Sequence, residues 1–338
     1  MSNIYEVAKH AGVSTATVSR VMSGPKHAVS PATRKKVLQA VELLGYMPNS
    51  AAKNLRTARS RKLLVTVPDI SNPFFSLILQ GIEEAAQREG YAVLLGDTQH
   101  DPKREENYAQ MLKRKEADGL IFLGHRLPKE ASSLVHMAGG SRAPIVNGCE
   151  FSSSLGVPSV HIDNAKAAYE VMDYLYNLGH RRVAAVTGPL ISPLSRDRLR
   201  GATERARAAG LERDFIVISG DFSIESGVMA AAQLLETREV PTAMFCFNDE
   251  MAIGVIETAR GRGIKVPEAL SVVGFDDIRF ARYTQPPLTT VSQPMRQIGE
   301  GCVRLLLEIL RGKTIGAVSM TLPHQLTIRG STAPPRRS

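Results

Sequence analysis

The chain has 338 residues, 43% of them hydrophobic and 22% charged, which is too apolar for a disordered chain and too long for one ordinary core. Its formal charge of +9 sits at one end: residues 1–62 hold 11 of the 42 Lys and Arg but only Glu6 and Glu42, so the remainder carries 31 of each sign. Cys149, Cys246 and Cys302 lie far apart in apolar runs without CxxC pairing, which argues against a zinc site or a disulfide framework and for core thiols in a reducing compartment.

In the basic head, Ile4, Val7, Ala8 and Ala11 recur at helical spacing and predict a first helix. Gly12 tolerates the positive φ of a turn, and Ser14 is a natural cap for a second helix. There Val18, Val21 and Met22 face inward, while Thr15, Ala16, Thr17, Ser19 and Arg20 face out. Two short helices around a glycine turn form the unit that lays its second helix in the major groove of DNA. Thr15 and Ala16 suit base contacts through hydroxyl and methyl, and Arg20 suits guanine. Ser14, Thr17 and Ser19 suit phosphates. A third helix is expected from Ser30 to Leu44, capped by Ser30, with Pro31 in its first turn and Gly45 ending it. Arg34, Lys35 and Lys36 make its start basic. Such helix pairs also occur in proteins that never meet DNA; their coincidence with the whole net charge points to nucleic acid.

Beyond Lys62, short apolar runs alternate with helical periodicity. Strands are predicted at Leu63–Pro68, Ala92–Asp97, Gly119–Leu123, Ile145–Gly148, Ser159–Ile162, Val183–Thr187, Phe215–Gly220, Ala243–Phe247 and Ser271–Gly274. Helices are predicted between them, among them Phe74–Glu89, Arg104–Glu116, Ala165–Leu178, Arg198–Ala209, Ser223–Leu235 and Glu250–Arg262. Nine strands in two series, separated by helices, imply two doubly wound α/β subdomains whose ligand lies at the carboxyl ends of the strands. Those exits combine Asp and Asn with aromatics, as in HIDN, GDF, FND and FDD, which suits a polyhydroxylated ligand with a flat face. Asp and Asn at strand ends also cap helices. For Asp69 the cap is the preferred reading, and for Asn164 and Asp249 both readings stand.

The order AGVSTATVSRVM, then GYMPNSAAKNL, then an apolar strand is similar to the LacI/GalR family of repressors. The likeness continues through VPDISNPFF, HIDN, LGHRRVA, FNDEMAIG, VPEALSVVGFDD and PPLTTVSQP. It implies an all-α helix-turn-helix DNA-binding domain over 1–47, a hinge over 48–61, and a dimerising, effector-binding core over 62–338. That core resembles periplasmic binding proteins, with one subdomain at about 62–162 and 292–323 and the other at about 163–291 and 324–338. In the family the hinge folds as a helix on operator DNA and a leucine wedges into the central minor-groove step. Leu55 matches that position, with Asn49, Lys53, Asn54 and Arg56 around it, the basic and amide setting a minor-groove wedge needs. A plain linker whose leucine touches the core is the alternative.

Carried over position by position, the resemblance makes Phe74 the aromatic of the first effector loop and Arg198 the arginine gripping sugar hydroxyls. Asp276 becomes the carboxylate opposite, Phe222 the stacking ring and Asn248 a cleft-lining amide. Two departures matter. Ser192 and Leu194 stand where purine-reading members carry basic and hydroxyl groups, which argues against a guanine-type corepressor. Cys149 stands where many members place an acid or amide. The strings VPDI, PFFS, LGDTQH, GHRLP and HIDN are closest to the nucleoside-responsive members, so a nucleoside is the expected effector and a sugar such as ribose the alternative.

A transport protein would need a leader and no basic head. An enzyme would need a phosphate loop or an HExxH or GxSxG string, and none occurs; a lone strand histidine such as His161 reads as structural. No secretory leader or membrane-length apolar run is visible, so a cytoplasmic location without a membrane partner is expected. The expectation is a repressor without catalytic residues, metal or cofactor, reading a pseudo-palindromic operator. The tail STAPPRRS is too short for a tetramerising helix, which favours a homodimer.

Overall fold

The computed structural model describes residues 2–22, 29–47, 59–137, 143–313 and 318–336. It divides into a head ending at Ser60 and a core beginning at Arg61. The hinge residues Asn49, Lys53, Asn54, Leu55 and Arg56 lie outside the described residues.

The head is built of α1 (Ile4–Ala11), α2 (Thr15–Met22) and α3 (Pro31–Leu43). Asn3 and Glu6 form a reciprocal capping box at the start of α1, and Gly12 ends it at φ +66°, donating its N–H to the Ala8 and Lys9 carbonyls. Ser30 accepts from the Thr33 N–H at 3.2 Å, with Pro31 opening α3. The predicted inward stripes meet in one small core of Val7, Ala8, Val18, Val21, Val37 and Ala40, with Ile4, Met22, Leu44 and Tyr46 packed around it.

The core unit holds two six-stranded sheets. The first comprises β1 (Lys62–Val67), β2 (Ala92–Asp97), β3 (Gly119–Phe122), β4 (Ile145–Gly148), β5 (Ser159–Ile162) and β11 (Ser319–Leu322), in the order 11-5-4-3-1-2, all parallel. The second comprises β6 (Val183–Thr187), β7 (Phe215–Ser219), β8 (Ala243–Cys246), β9 (Ser271–Asp276), β10 (Thr289–Ser292) and β12 (Gln325–Thr327), in the order 12-10-9-8-6-7. Only the β10–β12 pair is antiparallel among the strand pairs described. Alternation along β1 explains the two-faced burial. Leu63, Val65 and Val67 join Ile121 and Val146 in one apolar layer, while Leu64 joins Leu120, Phe122 and Ile145 in the other.

Helices α4 (Phe74–Arg88), α5 (Pro102–Lys113) and α6 (Lys129–Met137) accompany the first sheet; α7 (Asn164–Asn177), α8 (Pro193–Ala208), α9 (Ile224–Leu235) and α10 (Asp249–Gly261) accompany the second. The chain passes between sheets three times, at Asp163, at Gln293–Pro294 and at Pro323–His324. After the second passage, α11 (Met295–Leu310) returns to pack along α4. The backbones approach so closely that a Cβ on Gly81 would run into the Arg296 carbonyl.

All nine predicted strands form. β10, β11 and β12 were not predicted, because three or four residues interrupted by Thr, Ser or Gln give no apolar run. They become strands only through partners distant in the chain, such as Thr321 beside His161. The three cysteines are free and buried, as expected from their apolar runs.

Candidate DNA interface and effector cleft

On the head, Ala16 and Arg20 are exposed and Thr15 half-exposed on the outer face of α2, opposite the buried Val18 and Val21. Ser14 takes the helix-cap role expected of it. The Ser14 Oγ accepts from the Thr17 N–H at 3.2 Å and lies 3.0 Å from the Thr17 hydroxyl, so the two hydroxyls close the first turn of α2. Ser19 is half-buried on the same helix. The basic start of α3 also divides by role. Arg34 is half-buried and donates to the Val21 carbonyl at 3.3 Å, tying α3 to the end of α2, while Lys35 and Lys36 are exposed.

In the core unit, the strand exits carry unusual backbone. Cys149 after β4 (φ +72°), Phe222 after β7 (+75°), and Asp276 and Asp277 at the end of β9 (+112° and +55°) all lie at positive φ without being glycine. Each such residue costs about 1–3 kcal/mol and persists where surrounding structure holds it, most often at a ligand site. Phe222 is held by its carbonyl, which accepts from Asn248 Nδ2 at 2.7 Å, and its ring lies where a Cβ on Gly188 would be. The Asn248 Oδ1 accepts from the Met251 N–H at 2.9 Å and caps α10, so both polar ends of this amide serve the fold.

Arg198 is the centre of a buried polar cluster. It is 2% exposed; its guanidinium lies 3.6 Å from the Phe275 ring centroid, and Nε donates to Asn164 Oδ1 at 2.9 Å. Nη1 donates to the Phe247 carbonyl. Nη2 faces Asp276 Oδ1 at 3.6 Å, an ion pair too long for a hydrogen bond. That same Oδ1 accepts from Gln293 Nε2 at 2.7 Å. Burial is the largest influence on both partners. It pushes the Asp276 carboxyl up to about 7, against the pull of Arg198 and Gln293, and it lowers the Arg198 pKa despite Asp276, Glu150 and Asp249 nearby. The pair is therefore held by the fold at a desolvation cost, with hydrogen-bonding capacity directed at one another across 3.6 Å.

Four cleft residues escaped the sequence reading in whole or part. Asn164 does not cap α7, since Asp163 does so by accepting from the Lys166 N–H; Asn164 orients Arg198 instead. Asp249 caps nothing either. It accepts from Thr290 Oγ1 at 2.5 Å and the Ile278 N–H at 2.8 Å, pinning the loop that follows Asp276, and burial holds its carboxyl far above the usual range. Gln293 lies in the second passage between sheets. Glu150, 7% exposed, accepts from Ser192 Oγ at 2.7 Å across the two lobes, and burial lifts it to about 7 while the Ser192 bond, Arg198 and Arg196 pull it down. The missing acid at Cys149 was the available signal, because an acid stands one residue later. Asp69, expected as a cap, instead closes its own turn by accepting from the Ser71 N–H and hydroxyl.

Phe74 opens α4, 7% exposed, edge-on to Phe75 at 5.1 Å and packed in the apolar layer that also contains Cys149 and Ile278. His161 is structural, bridging the Ile162 carbonyl and Ser319 Oγ and stacking on Phe151 at 4.6 Å. No group of three or more His, Cys, Asp or Glu side chains that could hold a metal occurs among the described residues.

Residues 3–49 match the family model described as bacterial regulatory proteins, lacI family, and residues 172–332 match a periplasmic binding protein-like domain. The HTH-type transcriptional repressor CytR of Escherichia coli (strain K12) is 42% identical over 97% of this chain and 95% of its own length. The chain belongs to the LacI family. Another relative, catabolite control protein A of Priestia megaterium, is 38% identical over 97% of this chain and 98% of its own. A crystal structure of the lac repressor dimer bound to operator and the anti-inducer ONPF superposes with a TM-score of 0.88 at 29% identity, covering 98% of this chain and 99% of that one. These LacI-family relatives are transcriptional regulators, not enzymes, and the chain pairs the same helix-turn-helix head with the same two-lobed α/β core. No helix among the described residues is long and apolar enough to cross a membrane.

Proposed function

We propose that this LacI-family protein is a homodimeric, cytoplasmic repressor of a pseudo-palindromic operator whose grip on DNA is set by a nucleoside bound between the two lobes. In the head, half-exposed Thr15 and exposed Ala16 and Arg20 read base edges and Lys35 and Lys36 contact phosphates, with Leu55 of the hinge as the minor-groove wedge. In the core, ribose hydroxyls bridge Arg198 and Asp276, and the Phe222 ring is offered to the flat base.

The observation that carries the reading is the wiring of that buried pair. Arg198 is bonded to Asn164, next to the first passage between lobes, and Asp276 to Gln293, within the second. A diol that accepts from the arginine and donates to the carboxylate loads both connections at once, and so changes the angle between lobes. Coupling of this kind is typically about 1–3 kcal/mol, a five- to 150-fold change in operator affinity. For the second copy, Ile224, Val228 and Met229 form an exposed apolar stripe on α9, and edge strand β7 exposes Val217.

Titration calorimetry with cytidine, adenosine and ribose tests the effector class. Micromolar nucleoside binding is expected; micromolar ribose binding with silent nucleosides overturns it. Selection of genomic fragments with and without nucleoside then gives the operator and the sign of the response together.

A further inference from the structure

Glu150 and Ser192 meet from opposite lobes. Glu150 follows Cys149, whose positive φ turns the chain after β4, and Ser192 stands at the N-cap position of α8. Ser192 gives no side-chain bond to its own helix; its hydroxyl donates to Glu150 Oε2 instead. The loop that carries it is pinned by Arg196, which donates to the Leu190 and Ile191 carbonyls at 2.9 and 2.8 Å. A buried acid whose hydrogen-bond partner lies on the other lobe adds little to the packing of its own lobe and costs desolvation. It faces the same cleft as Arg198, whose charge it feels.

Resting on the nucleoside reading above, we propose that Glu150 is the base-reading residue of the cleft and selects a base with an amidine edge, a ring nitrogen beside an exocyclic amine, as in cytosine or adenine. A neutral carboxyl is the complement of that edge: Oε1–H donates to the ring nitrogen, and Oε2 accepts from the amine on one lone pair while Ser192 keeps the other. Uracil, with acceptor carbonyls on either side of a ring N–H, is matched only if the carboxyl proton moves to Oε2, the oxygen that already accepts from Ser192. Guanine offers two donors side by side and fits an ionised carboxylate.

The groups facing Glu150 set which form is present. Arg198, Arg196 and the Ser192 hydroxyl favour the ion, burial favours the acid more strongly, and the balance falls at about 7. Cys149 beside it is neutral, its thiol pushed up by burial, and Asp276 lies beyond Arg198. The acid is therefore populated below pH 7 and lost above it, so affinity for an amidine base falls as pH rises.

Calorimetric titration of the full-length protein with cytidine, adenosine, uridine, guanosine and ribose tests this. One of the two amidine nucleosides binds roughly tenfold or more tighter than uridine and guanosine, and its affinity relative to that of ribose drops about thirtyfold from pH 6 to pH 8.5, the ratio of acid fractions for a group titrating near 7. Glu150→Gln carries the donor and acceptor of the neutral acid permanently, so discrimination survives and the pH dependence falls to the part that ribose shares through Asp276. Glu150→Ala loses the discrimination, weakening the preferred nucleoside much more than ribose. Equal weakening of every nucleoside and of ribose in Glu150→Ala marks a structural role and overturns the proposal. An unchanged order of nucleosides overturns it while the effector reading stands, and wild-type protein that binds ribose but no nucleoside overturns both.

Discussion

The head and the core handle charge in opposite ways. Residues 1–62 carry the whole net charge; the head keeps Arg20, Lys35 and Lys36 on its surface and, among its described residues, buries only small apolar side chains such as Val7, Val18 and Val37. Beyond Lys62 the chain is electroneutral, yet it buries Arg198, Asp276, Asp249 and Glu150. Exposed charges in water act at long range, add up over many phosphates and are screened by salt. Desolvated groups act at contact distance on one small partner and are indifferent to ionic strength, but each must be held by neighbours at a cost. Each domain has the electrostatics of its own ligand.

The sharpest break of this contrast is a salt series. If the head makes the six to ten phosphate contacts usual for a dimer of this kind, operator affinity falls by roughly 10³–10⁵ between 50 and 200 mM salt. Effector affinity, measured by calorimetry over the same series, is expected to move less than about twofold. A parallel fall in both erases the distinction.

Next in size is Arg198→Ala. Removing one partner of a buried pair costs about 3–5 kcal/mol of core stability, read by urea unfolding. The effector response is lost, and effector-free protein still binds operator. Unchanged effector affinity in this variant removes Arg198 from the cleft. Arg20→Ala is the converse. It costs about 1–3 kcal/mol of discrimination at one base position in a binding-site selection, with effector affinity unchanged. Smallest is Asn3→Ala, which removes the capping box of α1 and costs about 1 kcal/mol, seen as a lower melting transition of the head alone.

Much of the local architecture was legible along the chain. Gly12, Ser30 and Pro31 punctuate the head helices as capping physics requires, and runs such as KLLVTV and AMFC are strands because continuous β-rich apolar residues need burial on both faces. The cleft was only half legible. Arg198 and Asp276 could be named from their strings, but Asn248, equally prominent in FND, spends its amide on a helix cap and on Phe222. Ser14 caps α2 as its position promised, whereas the bond from Arg34 to the Val21 carbonyl has no signal in the local sequence.

The sequence by itself determined where the charge lies, which segments are helix or strand, and that a phosphate-binding head precedes a two-series α/β core. Those properties depend on neighbours within about a dozen residues, through periodicity, capping and turn chemistry. Only the tertiary structure decided that Glu150 meets Ser192, that Asp276 leans on Gln293, and that TTVS, SMTL and QLT become strands. Each of these rests on a partner brought from another strand, loop or lobe. Burial then turned ordinary carboxyls into acids that titrate near neutrality, a change that side-chain identity does not encode.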